Sequence, residues 1–373
     1  MPKPNDHRAA RRLMIMTATG FLVATLIVIS RESGADFAQD YAAAWAWWHG
    51  MDPGTPTFLI FEACCPEDNV TGAYQTAHPP FATMIVLPFG LLPFKTARAI
   101  WLLIGSFSIV IAWRYAQVDH KMALATASMW VIGLSLGSLE PIVLLALAIA
   151  LRMRSSRANV SAVLIGVTAA IKIYPGILLL ALLIARRWKE GASGVLAALI
   201  ATLVADRLVG GDALADWIAY IPWNIERYIA SAGNASAVRL VSLVFPDIPT
   251  SLLSLGMILA LLAPIAPYLY RYRSGDWRTL LPVMILGSPL VGPHYIACVG
   301  LAYSNRVAAY FLGIGGGISL LARIGLFPLS YETEAFIVAP MLAGLFILWL
   351  EAIRRMIVQH YPIARKKSTS DVR

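Results

Sequence analysis

A chain of 373 residues that is 58% hydrophobic and only 14% charged carries more apolar surface than a soluble core of that length can hide. Lipid must solvate much of it, which excludes a soluble enzyme. The net charge of +9 does not point to nucleic acid, because the basic residues sit in short clusters between apolar runs (Arg152, Arg154, Arg157; then Arg186, Arg187, Lys189) and form a positive-inside pattern.

The first apolar run, residues 13–30, follows Lys3, Arg8, Arg11 and Arg12 and lacks a small-residue cleavage site. It reads as an uncleaved anchor, with residues 1–12 in the cytoplasm. Later runs fall at roughly 97–113, 122–136, 139–151, 159–172, 175–185, 192–209, 248–270, 278–292, 295–305, 307–323 and 334–352. Residues 79–94 are also apolar, but the segment is short and is interrupted by Pro88 and Pro93. Counting it as a span would put the clusters at 152–157 and 186–189 outside; leaving it out puts both inside, together with Arg271, Arg273 and a tail at 353–373. The expectation is therefore an all-α polytopic membrane protein of about 12 spans (10–12), with both termini in the cytoplasm. It has a single membrane domain over 1–373, with external loops at 31–96 and 210–247. Three cysteines, including the adjacent Cys64 and Cys65, show neither metal spacing nor a disulfide framework.

The first external loop opens with Asp36, Asp40 and Tyr41 and runs on through Trp45, Trp47 and Trp48 to Gly50. At helical spacing Phe37, Tyr41, Ala44, Trp45 and Trp48 share a face, which predicts an amphipathic helix on the membrane surface with Gly50 ending it. The tryptophans read equally as an aromatic belt and the aspartates as a solvated face. His78 stands before Pro79 and Pro80, where the loop re-enters apolar sequence. Glu140 and Lys172 each lie where one apolar run turns into the next, and His294 closes another such hairpin. Charges inside long apolar stretches are costly and tend to be functional, with snorkelling as the competing reading for Lys172. On the charge-derived topology all six residues, Asp36, Asp40, His78, Glu140, Lys172 and His294, are external.

These motifs resemble glycosyltransferase family 87, membrane transferases of the GT-C class that use polyprenyl-phosphate sugars and include bacterial mannosyltransferases. Asp36-Phe37 with Asp40-Tyr41 resembles the family's aspartate-led first-loop motif, where two tyrosines usually occupy positions 40 and 41. His78-Pro79-Pro80-Phe81 is similar to its proline-pair segment, usually led by tyrosine, and Ala170 to Pro175 to its lysine-proline turn. Ser288-Pro289 with His294 resembles a segment ending in paired histidines, the second replaced here by Tyr295. The family's Gly-Gln-x-Asn becomes Gly137-Ser138-Leu139-Glu140, a loss of both amides.

The resemblance implies a GT-C-like fold and transfer of a sugar, mannose or another hexose or pentose, from a polyprenyl-phosphate donor. The acceptor is a lipid or glycan at the external face of a bacterial inner membrane. Asp36 is the expected base, with Asp40 beside it. Lys172 and His294, then Arg98, are expected at the donor phosphate, with Arg227 and Arg239 as weaker candidates. Tyr41, His78, Glu140 and Tyr174 are expected at the substrates, with no metal and no cofactor. A transporter or flippase of a lipid-linked saccharide is the rival class, since about twelve spans with both termini inside also suits a carrier.

Overall fold

The computed structural model describes residues 34–68, 76–229, 231, 234–274, 276–326 and 331–360, all of whose regular structure is helical. The expected anchor at 13–30 and the basic residues Arg365, Lys366 and Lys367 lie outside them.

Helix α1 (Ala35–Trp48) begins after Gly34 and carries Asp36 in its first turn. It stops where Gly50 adopts a left-handed φ of 70°, so that Gly50 N–H reaches Trp47 C=O and Met51 N–H reaches Ala46 C=O. The predicted surface helix is not what forms. Phe37 and Tyr41 are buried at 0% and 1% exposure in an aromatic cluster with Phe61, Phe89, Phe94 and Trp101, and Asp40 is buried as well. Phe37, Tyr41 and Ala44 of the apolar stripe face protein, whereas Trp48 at its end is exposed, a distinction periodicity cannot make.

Helix α2 (Thr57–Cys64) follows, and Cys64 is joined to Cys65 in a disulfide between neighbours that spacing did not foresee. Residues 79–94 start with Pro79 extended and Pro80 in the first turn of α3 (Pro80–Val86). They continue as a 3₁₀ turn over Leu87–Leu91 that packs closely on α1, and Trp48 Nε1 donates to Leu87 C=O at 2.8 Å.

Helix α4 (Phe94–Ala116) leads to α5 (His120–Leu136), whose N-cap Asp119 accepts from Lys121 N–H and which ends at Gly137. Then come α6 (Glu140–Met153), α7 (Ala158–Ile171), α8 (Ile177–Ile184) and α9 (Trp188–Val209). Gly166 and Gly194 let α7 and α9 touch backbone to backbone: a Cβ on Gly166 would stand 1.9 Å from Gly194 O. Small residues at crossings of this kind are how apolar helices gain packing when lipid supplies no hydrophobic drive between them.

Helix α10 (Ala213–Ile229) is interrupted by Pro222 and buries none of its residues fully, and the short α11 (Ala237–Val244) is capped by Ser236. Helices α12 (Thr250–Leu262) and α13 (Ala266–Tyr272) meet at a 53° bend. The chain ends with α14 (Leu281–Leu286), α15 (Pro293–Ile296), α16 (Arg306–Arg323) and α17 (Tyr331–His360), the last two packed on each other.

Among the described residues three helices are long and apolar enough to cross a bilayer, residues 94–116, 188–209 and 336–358, and the α12–α13 pair makes a fourth if it is one bent span. This marks a multi-pass membrane protein; other apolar helices are shorter, so helix length alone does not reach the expected count of about twelve. Two of the basic residues expected on one side, Arg154 and Arg355, lie at one cluster around Asp276 and Tyr303. Arg154 and Arg278 both pair with Asp276, Tyr303 donates to the same carboxylate, and Arg355 lies over the Tyr303 ring at 4.6 Å. Burial pushes the Asp276 carboxyl up, but the guanidiniums of Arg278 and Arg154 outweigh it and hold it below the usual carboxylate range.

Candidate active site

The residues singled out from sequence converge at the opposite set of helix ends. Glu140 opens α6 and Lys172 closes α7, so each sits at the end of its helix whose dipole favours its charge. Lys172 Nζ donates to Glu140 Oε1 at 2.5 Å and lies 4.2 Å from the Tyr295 ring centre, with side-chain exposures of 4% for Lys172 and 0% for Glu140. The turn between α5 and α6 is pressed onto α1: Gly137 has φ 70°, and a Cβ there would lie 2.5 Å from Phe37 Cβ. Trp101 Nε1 locks this turn by donating to Gly137 C=O at 2.8 Å. Position 137 thus needs glycine both for its backbone and for the fit.

A cavity of about 350 Å³ opens beside this pair, lined by Asp36, Gln39, His78, His294, Tyr295 and Arg323 among others. His294 Nε2 stands 3.5 Å from Asp36 Oδ2 and 3.9 Å from Glu140 Oε2. Neither ring nitrogen of His294 has a hydrogen-bond partner among the described residues, although its side chain is only 8% exposed. Burial is the largest influence on His294 and lowers its pKa; Glu140 and Asp36 pull the other way, Lys172 and Arg323 add to the lowering, and the net shift is down. The imidazole is therefore neutral at pH 7 and keeps one N–H to donate. Part of the cavity wall comes from Asn234, whose amide donates to Pro289 C=O at 3.1 Å and whose Oδ1 accepts from Val291 N–H at 2.9 Å.

His78 is fixed from behind by Asp40, which accepts from its Nδ1 at 3.0 Å and from Thr76 Oγ1 at 2.8 Å. Asp40 therefore serves His78 and does not line the cavity. A second cavity, of about 550 Å³, adjoins the first and shares His78 with it. One stripe of α10 runs along both, with Ala213, Asp216 and Trp217 on the larger and Tyr220, Asn224 and Tyr228 on the smaller.

Several expectations change. Lys172 does not face the cavity, because its ammonium is committed to Glu140 and covered by Tyr295. Tyr41 lies in the aromatic cluster with its hydroxyl donating to Leu92 C=O at 2.8 Å, and Tyr174 stacks on Tyr295 at 5.5 Å, behind the wall. Glu140 likewise stands behind the lining. Arg98 packs against Gly34 at the start of α1, its Nε 2.8 Å from where a Cβ on that glycine would sit. Arg227 lies over Trp223 at 5.1 Å, and Arg239 is buried and donates to Asn234 C=O. Arg323, Gln39 and the α10 stripe apart from Trp217 were missed; Trp217, like Trp47, is one of the aromatic residues whose flat face suits a sugar ring, with belt anchoring as the other reading. Arg323 ends an apolar run and has the look of a snorkelling residue, and its spacing of four from Ser319, which also lines the cavity, was the available signal.

The sequence model for glycosyltransferase family 87 matches residues 76–293, more than half of the chain. The chain belongs to this family. The match takes in His78, Glu140 and Lys172, whereas Asp36 and His294 fall outside it. None of the curated proteins matches. The crystal structure of ArnT from Cupriavidus metallidurans bound to undecaprenyl phosphate is similar at 17% identity and a TM-score of 0.42, over 93% of this chain and 78% of that one. In this family 87 glycosyltransferase the carboxylate at position 140, where an amide is usual, is neutralised by the lysine of the lysine-proline turn.

Proposed function

We propose that the chain transfers a sugar, mannose or another hexose or pentose, from a polyprenyl-phosphate donor to a lipid or glycan acceptor at the external face of a bacterial inner membrane. The observation that carries this reading is the approach of Asp36 to 3.5 Å from His294, a buried ring with no hydrogen-bond partner among the described residues, on one cavity wall. A proton acceptor and a hydrogen-bond donor are thus held together where an acceptor hydroxyl and a leaving phosphate have to meet. The hydroxyl oxygen bonds to the anomeric carbon, the carbon–oxygen bond to phosphate breaks with its electron pair, and Asp36 takes the hydroxyl proton as the new bond forms. A carboxylate is too weak to remove that proton beforehand, so transfer is concerted with attack.

His294, with Arg323 on the same wall, supports the phosphate as negative charge grows on it, an interaction that counts for rate only where it strengthens in the transition state. Lys172 acts indirectly in this reading: it holds Glu140, whose free oxygen faces His294. Asp40 is a positioning residue through His78.

The test is transfer of radiolabelled sugar from a panel of polyprenyl-phosphate donors, comparing wild type with Asp36→Asn at matched expression. Incorporation that vanishes in the variant supports the assignment, and equal incorporation removes Asp36 from it. Transfer is expected to survive chelation; complete loss in chelator, restored by a divalent cation, would overturn metal independence.

A further inference from the structure

The two adjoining cavities differ in the charge of their walls. The smaller sets the Arg323 guanidinium and the His294 ring beside the Asp36 carboxylate, so it offers a phosphate one cation and one N–H donor. The larger is lined by Asp52, Asp212 and Asp216, and among its described lining residues there is no lysine or arginine. Its walls also carry two indoles held in place by their own N–H groups: Trp47 Nε1 donates to Leu208 C=O at 2.7 Å and Trp217 Nε1 to Ala77 C=O at 3.1 Å. An indole pinned by its nitrogen has its flat apolar surface left to contact a ligand, and it loses little entropy in doing so.

We propose that the larger cavity is the acceptor site and that it takes a saccharide without negative charge, either neutral or amine-bearing. The inference rests on the transferase reading above and adds the class of acceptor. Three observations carry it. The cavity, about 550 Å³, falls in the size range of small-molecule sites. It shares His78 and a continuous stripe of α10 with the cavity that holds Asp36 and His294, so a saccharide lying in it has a hydroxyl within reach of the reacting centre. Its ring faces match the C–H faces of a pyranose, while its carboxylates accept from sugar hydroxyls or ammonium groups and repel carboxylate or phosphate substituents.

The experiment uses full-length protein in nanodiscs and saturation-transfer NMR with three probes of equal size: a neutral mannose disaccharide, a glucosamine disaccharide and a glucuronic-acid disaccharide. Polyprenyl phosphate binding, read by native mass spectrometry, reports on the donor cavity. The neutral and amine-bearing probes are expected to bind and the uronate to give little signal. Trp217→Ala should weaken the neutral probe about tenfold while polyprenyl phosphate binding is kept. Asp212 and Asp216 are both exposed, so the double reversal Asp212→Lys/Asp216→Lys tests the charge rule without touching the interior, and it should shift preference toward the uronate. Equal or stronger binding of the uronate by wild type, or a preference unmoved by the double reversal, overturns the proposal. So does unchanged neutral binding in Trp217→Ala. Saccharide binding that follows these rules in a protein that transfers no sugar would instead count against the transferase reading.

Discussion

Replacing either member of the Glu140–Lys172 pair isolates the interaction on which the site wall depends. At 2.5 Å the two unit charges attract by about 7 kcal/mol at an effective dielectric of about 20. Against this stands a desolvation penalty of several kcal/mol for each ion, since the side chains are 4% and 0% exposed. The pair as a whole therefore adds little to stability, yet removal of one partner strands the other. Glu140→Met and Lys172→Met are each expected to lose about 3–5 kcal/mol, whereas the double variant should lie within about 2 kcal/mol of wild type. Guanidinium unfolding in detergent, followed by tryptophan fluorescence, measures the full cycle. A double variant that loses the sum of the two single effects would refute the buried pair, because independent residues add and a neutralised pair does not.

Gly137→Ala should lower stability by about 2–3 kcal/mol and reduce transfer, since it combines a positive φ with a contact of 2.5 Å to Phe37 Cβ; the same unfolding assay reads the first and sugar incorporation the second. The lowered pKa of His294 means that the unfolded chain binds the proton first as pH falls. Stability from this group is complete above the ordinary histidine value of about 6.5 and declines as pH drops through the folded pKa. His294→Gln should flatten that part of the stability profile below the ordinary histidine value, and an unchanged profile would place the titration elsewhere.

What the sequence disclosed about the site followed from cost. Charges and histidines at the ends of apolar runs are expensive to place, so Asp36, His78, Glu140, Lys172 and His294 stood out individually, and the structure brings them to one set of helix ends. Their partnerships were not legible. Glu140 and Lys172 are 32 residues apart, and only the packing of α6 on α7 shows that one ion neutralises the other and turns it away from the cavity. Helix α1 was placed correctly but given the wrong surroundings, because Phe37 and Tyr41 make the same stripe whether lipid or an aromatic cluster receives it. The stripe Asp216, Trp217, Tyr220, Asn224, Tyr228 looks like an aromatic belt until both cavities are seen beside it. Span number does not follow from helix length, since several apolar helices are too short to be counted on length alone.

Pro222 lies within the stretch of α10 that passes from one cavity to the other. It has no N–H to give the carbonyl of Ile218, so the rod that joins the two walls lacks a rung there and bends more easily than elsewhere along its length. Tyr220 precedes this joint and Asn224 and Tyr228 follow it, so a few degrees of bending there move the far part of the smaller cavity's wall against the part next to the larger cavity. The shape of the smaller cavity is thereby tied to one backbone joint as well as to the side chains that line it.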